Sequence, residues 1–257
     1  MNPRESTPLF ETTIPLGEPE LMRISGYEAY LQELEADAAG SGVSSRISSL
    51  GESLRADLYR FEADGRVSEL IEVVAACVRH AQRVTIQLQL GDRVVPLTVF
   101  PGERLVHSPV PVDQLLAADP SLLRVLHVEP AVLRPPGDTE AALVGADHLH
   151  SALAPLLWEL AMQGPRTELL PEIAGPAVYR VTPGLDLAPL SVADDLRPVI
   201  DQMRHATATL REIAEWPGMG RDRAVRLLNA LYLQAGLMLS RSHPDAISDG
   251  WFGGLGR

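Results

Sequence analysis

"TLREIAEWPGMGRDRAVRLLNALYLQAGLMLS", Thr209 to Ser240, changes its hydrophobic rhythm three times within one short span. In "LREIAEW" the residues Leu210, Ile213 and Ala214 recur at helical spacing, so this piece is a short helix with one inward face. "PGMG", Pro217 to Gly220, cannot continue a helix and makes a turn. From Arg221 onward Ala224, Leu227, Leu228, Leu231 and Ala235 fall on one face of a longer helix, and Gly236 is placed to end it as the left-handed residue. "LMLS" then returns as a strand.

Upstream, "SVADDLRPVIDQMRHAT" reads as a further helix, with Ser191 as its N-cap and acids in its first turn. Helix, short helix, turn, longer helix and strand follow one another from about residue 193 to residue 241. With the phrase "LREIAEWPGMGRDRAVRLLNALYLQAGL", this stretch resembles the winged-helix modules of bacterial regulators. The resemblance implies a reading helix whose outward N-terminal side chains touch DNA. Arg221, Arg223 and Arg226 stand there, and five arginines face three acids between Arg211 and Arg241. Against that reading, Ala230 and Leu233 on the same outward side are apolar and carry no base-reading amide or hydroxyl. The place of a wing, "SHPDAISDGWFGG", is acidic. The residues therefore favour a protein surface over a nucleic acid, with Arg221, Arg223, Arg226 and Leu233 as candidate contacts to either.

The whole chain supports that preference. Its 257 residues carry a net charge of −12, which opposes non-specific attraction to a polyanion. All 22 basic residues are arginine, a usage typical of GC-rich bacteria. Without lysine there is no Schiff base and no Walker-type phosphate site. No apolar run reaches the roughly 18–20 residues of a membrane-spanning helix. The N-terminus has no signal-peptide pattern, so the expected location is cytoplasmic. Cys77, inside the periodic stretch "SELIEVVAACVRHA", reads as a small buried hydrophobe.

Residues 1–20 hold four prolines and read as a flexible leader. Residues 21–133 read as a helix plus antiparallel-sheet module. Two amphipathic helices come first, broken at the Gly/Ser hinge "AGSGVSS", and from Glu18 to Glu72 twelve acids stand against five arginines. A helix with Val67, Leu70, Ile71, Val74, Cys77, Val78 and Ala81 on its stripe follows. In "RVTIQLQLGDRVVPLTVF" strict alternation on both sides of Gly91–Asp92 predicts a β-hairpin. "ERLVHSP" and "LLRVLHVEP" add strands, with a short helix "VDQLLAAD" between them.

Residues 134–146 read as a linker, 147–241 as a helical, winged-helix-like module, and 242–257 as a tail. The helix "DHLHSALAPLLWELAMQG" would be capped by Asp147, and "PAVYRVTPG", bounded by prolines, reads as an edge strand. The fold class is α+β and mainly helical: N-terminal helices with a small antiparallel sheet, then the winged-helix-like module.

Side chains with chemistry are few. Asp147, His148 and His150 are close in sequence, but an i, i+2 histidine pair does not share a helix face and no third ligand is visible. His80, His107 and His127 read as structural histidines whose convergence the sequence leaves open. No nucleophile signature or phosphate loop is present, so no catalytic residue, metal ligand or cofactor is assigned. Trp251 and Phe252, flanked by glycines, read either as a cover for the core or as a docking motif. The expected function is that of a non-enzymatic bacterial regulatory or assembly protein acting through a protein partner or self-association. A DNA-binding regulator using Arg221 to Arg226 is the first rival, and a metal-dependent hydrolase the second.

Overall fold

Alternation across Gly91–Asp92 becomes the central hairpin of an antiparallel sheet. The structure, a computed structural model, describes residues 21–41, 50–63, 70–117, 123–140 and 143–241. The leader, most of the Gly/Ser hinge, and Trp251 and Phe252 of the tail lie outside the described residues. Strand β1 (Val84–Leu90) pairs with β2 (Arg93–Phe100) in the register Val84↔Val99 to Leu90↔Arg93. The strands β3 (Leu105–His107), β4 (Arg124–Pro130) and β5 (His150–Ala152) complete a five-stranded sheet in the order β4-β1-β2-β3-β5.

Pleating sorts its side chains onto two faces. Val84, Ile86 and Leu88 stand beside Val99, Leu97 and Val95, and all six are fully buried in the core. On the opposite face one register row crosses all five strands: Glu129, Thr85, Thr98, His107 and His150. Within it Thr85 and Thr98 share a hydrogen bond of 3.0 Å, and Gln87 Nε2 donates to Glu129 at 3.0 Å.

Two helices precede the sheet, α1 (Ile24–Ser41) and α2 (Glu52–Ala63), and α1 runs through the first residues of the expected hinge. The next helix, α3 (Leu70–Arg79), buries every residue from Leu70 to Cys77, so the apolar text there belongs to a helix enclosed on all sides. The short helix α4 (Val112–Ala117) lies between β3 and β4 as expected.

The region 147–163 departs from the expected single helix. Asp147–Leu149 is a turn of 3-10 helix, His150–Ala152 is the edge strand β5, and α5 (Leu153–Gln163) begins only at Leu153. Its N-cap is Ala152, which makes no side-chain cap bond, so Asp147 does not cap it. Here pairing with β3 holds the backbone extended ahead of the apolar stripe of Leu153, Leu156, Leu157 and Leu160.

A second sheet has the order β7-β6-β8, from β6 (Val178–Val181), β7 (Ala208–Thr209) and β8 (Leu237–Ser240). Strand β6 is its centre and not its edge. Pro176 and Pro183 lie outside Val178–Val181, so every amide of the strand can donate to a ladder. Helix α6 (Arg197–His205) starts six residues after the expected cap Ser191, with Pro198 in its first turn. Then come α7 (Leu210–Glu215) and α8 (Arg221–Leu233). Thr209 begins α7 with a reciprocal capping box, Glu212 N–H to Thr209 Oγ1 at 3.2 Å and Thr209 N–H to Glu212 Oε2 at 2.7 Å.

One apolar core runs through both halves of the chain, from Leu50 and Leu54 to Leu231 and Leu233. Helix α5 joins them, packing on α3 and α4 on one side and along α8 on the other, with Trp158 buried. Among the described residues the protein is a mixed α+β fold with an antiparallel five-stranded sheet and a three-stranded sheet.

Candidate functional site

The stretch that resembles a reading helix is the most enclosed helix of the C-terminal half. In α8, Ala224, Val225, Leu227, Leu228, Asn229, Ala230, Leu231 and Leu233 are all buried. The side expected to face outward is covered: Ala230 is inaccessible and Leu233 is 3% exposed. Helix α5 supplies the cover and runs antiparallel to α8. Arg226 donates to the Met162 carbonyl at 3.2 Å at one end, and Gln234 donates to the Ala154 carbonyl at 2.9 Å at the other. Helical spacing shows which residues share a face, but not that a second element covers the opposite one.

The three arginines divide accordingly. Arg221 is exposed at the start of α8. Arg223 donates to the Gly218 carbonyl at 2.8 Å and to Asp195 at 2.7 Å, bracing the turn whose Gly218 and Gly220 both have φ of 75°. Arg226 is half buried, and its Nε is buried without a hydrogen-bond partner. Magnitudes decide which of these matters for a ligand. Releasing Arg223 from Asp195 costs only about 0–1 kcal/mol because the pair is solvent-exposed. Uncovering leucines of α8 costs roughly 1.5–3 kcal/mol each, so burial fixes the helix in place.

A polar clamp holds the far side of the same helix. Asn229 Oδ1 accepts from the Leu170 amide at 2.8 Å, and Asn229 Nδ2 donates to the Glu168 carbonyl at 3.0 Å. Arg166 donates to the Glu168 and Leu169 carbonyls at 2.8 and 3.1 Å and pairs with Glu72 of α3. Both members of that ion pair are 6% exposed. Sequence reading passed over Glu72, Arg166 and Asn229, because a buried polar contact between distant segments leaves no periodic signal.

The other sequence-derived candidates separate. His80 Nε2 lies 2.7 Å from Asp57, which also pairs with Arg79, and Arg79 reaches Glu172 as well. His127 stands on β4 opposite Gln87. His107 is on β3, so the three do not converge. Burial pushes the Cys77 thiol up to about 12, which makes it inert as a nucleophile near neutral pH. Among the described residues no group of three or more His, Cys, Asp or Glu side chains could hold a metal ion. No described helix is long and apolar enough to cross a membrane.

Two histidines from different parts of the chain do meet. His107 on β3 and His150 on β5 are register partners, with ring centroids 4.8 Å apart and planes at 63°. The Phe100 ring lies 6.0 Å from His150. Both Nε2 atoms are buried without a hydrogen-bond partner. Burial, and then the charge that His150 would carry, hold the His107 imidazole below its ordinary value of 6.5, while a backbone hydrogen bond opposes them. Nothing in the separate segments "ERLVHSP" and "ADHLH" announced this pairing, since it exists only through the β3–β5 register. No family model, no curated protein and no solved structure matched the chain.

Proposed function

We propose that this chain is a non-enzymatic regulatory or assembly protein that acts through protein contacts, on a winged-helix-like module whose reading helix has become a core element. The order α6, β7, α7, α8, β8 supports the winged-helix resemblance. The sheet beside it is completed by β6, a strand that precedes the whole motif in sequence. The enclosure of α8 carries the functional reading: a helix covered by α5 on its outward side has no face to lay in a major groove. Contacts then fall to other surfaces. Met22 just before α1, Tyr30 on α1 and Tyr59 on α2 are large apolar side chains left in solvent. They belong to the strongly acidic segment between Glu18 and Glu72, so a partner with a basic, partly apolar face suits them.

The test has two arms. Labelled duplex DNA at low salt, where phosphate attraction is strongest, should show no saturable binding. A salt-dependent complex lost on Arg221→Glu with Arg223→Glu would restore the DNA reader. A photo-crosslinking residue at Tyr30 or Tyr59 should give a discrete protein adduct in the native host, whereas one at exposed Arg197 should not. Equal, diffuse labelling at all three positions would remove this surface from the proposal.

A further inference from the structure

We propose that the His107–His150 pair is an acid-sensitive latch that ties edge strand β5, and with it the start of α5, to the five-stranded sheet. The protonation states follow from the geometry. His150 Nδ1 lies 3.2 Å from the Ala146 carbonyl, which can only accept, so Nδ1 carries the proton. A neutral imidazole has one N–H, and His150 Nε2 is therefore a bare lone pair, buried with no donor near it. A second proton on His150 has to go to that atom, where no acceptor awaits it. His107, 8% exposed, has the same difficulty at its own buried Nε2. The space in front of His107 is tight as well. A Cβ on Gly145, which has φ of 62°, would stand 3.0 Å from His107 Nε2.

Among the described residues no neighbouring carboxylate offsets a positive charge here. Across β2 the pair meets Thr98 and Phe100, and along β3 it meets Leu105 and Ser108, all neutral. The segment before β5 offers Val144, Gly145 and Ala146, while Asp147 and His148 are exposed on the turn. Arg104, ahead of β3, is directed to Gln234 at 3.4 Å. Glu129 stands at the far end of the row, beyond Thr98 and Thr85, and accepts from Gln87. Among the described residues, the charge that bears on His107 is the one His150 would carry on protonation, and it is of the same sign.

What the latch holds is small and central. Strand β5 has three residues, Leu105↔Ala152 to His107↔His150, flanked by Ser108 N–H to the Leu149 carbonyl at 3.1 Å and Leu153 N–H to the Arg104 carbonyl at 2.9 Å. It runs directly into α5, the helix that covers α8. The direction of the pH effect is fixed by His107, whose imidazole is held below its ordinary 6.5 in the folded chain. The folded state then binds fewer protons than the open one, so the latch is intact above about 6.5 and weakens as the pH falls from there.

Amide hydrogen exchange on the full chain tests this, with rates corrected for the intrinsic pH dependence. Between about pH 7.5 and about pH 5.5 the amides of Ser108 and Leu153, which donate across the β3–β5 seam, should lose protection severalfold. Amides of α8 should change much less. Replacing both rings, His107→Asn with His150→Asn, should abolish the acid-induced loss. Unchanged protection in the natural sequence, or an equal loss in the double variant, overturns the latch. Ring nitrogen shifts of the natural sequence give an answer that needs no variant. Near pH 7.5 the His107 ring should be neutral and His150 should carry a proton at Nδ1, and a charged His107 or a His150 without its Nδ1 proton overturns it.

Discussion

Helix α8 and the β3–β5 edge are opposites in how they announce themselves. The helix carries a recognisable motif, with arginines at its N-terminus and apolar residues at every turn, yet its side chains are committed to the core. The strand edge carries no motif, yet it places two imidazoles against each other with buried, unpartnered nitrogens. A motif records the fold that a segment can take. Free chemistry depends on what the rest of the chain leaves uncovered, and that is decided by tertiary packing.

The largest expected effect lies at the clamp behind α8. Arg166→Ala leaves the Glu72 carboxylate buried without its guanidinium, removes the donor to the Leu169 carbonyl and leaves the Glu168 carbonyl with Asn229 alone. Denaturant unfolding should show a loss of about 3–5 kcal/mol, as for other broken buried pairs. A loss near that of an exposed pair, below about 1 kcal/mol, would mean that α8 is held far more loosely than its burial implies.

A smaller effect is expected at the other end of the helix. Ala235, not Gly236, takes the left-handed position there, with φ of 55°. The Schellman bonds run from Gly236 N–H to the Leu231 carbonyl at 2.9 Å and from Ala235 N–H to the Tyr232 carbonyl at 2.8 Å. Gly236 is glycine for a different reason: a Cβ there would lie 2.6 Å from Leu185 Cδ2. Ala235→Gly should therefore raise stability by about 0.5–1 kcal/mol, because relief of the left-handed strain outweighs the entropy of the added glycine. A destabilised variant would show that the helix ends differently.

The same contrast explains what could be read from the chain unaided. The β1–β2 hairpin was legible because Val84, Ile86, Leu88, Val95, Leu97 and Val99 alternate strictly around a Gly–Asp turn. The added strands of "ERLVHSP" and "LLRVLHVEP" and the turn at "PGMG" were legible for similar local reasons. Strand β6 reads as an edge strand in the sequence because flanking prolines look like a barrier, although neither one enters the ladder. Residues 150–152 read as helix in the sequence because the backbone pairing that extends them comes from β3, far away in sequence. Ala230 and Leu233 read as the outward face of α8 because periodicity holds no information about α5 lying across them. Of the candidate site, individual histidines could be named, but their partners could not.

The covering of α8 is the central claim, and thiol accessibility tests it most directly. Cys77, the single cysteine, is buried and serves as an internal unreactive thiol. Leu233→Cys and Arg221→Cys would be exposed separately to a thiol reagent under native conditions. A covered helix predicts rapid modification at position 221 and modification at position 233 only as the protein unfolds. Equal rates at the two positions would contradict the account and return α8 to the surface as a reader.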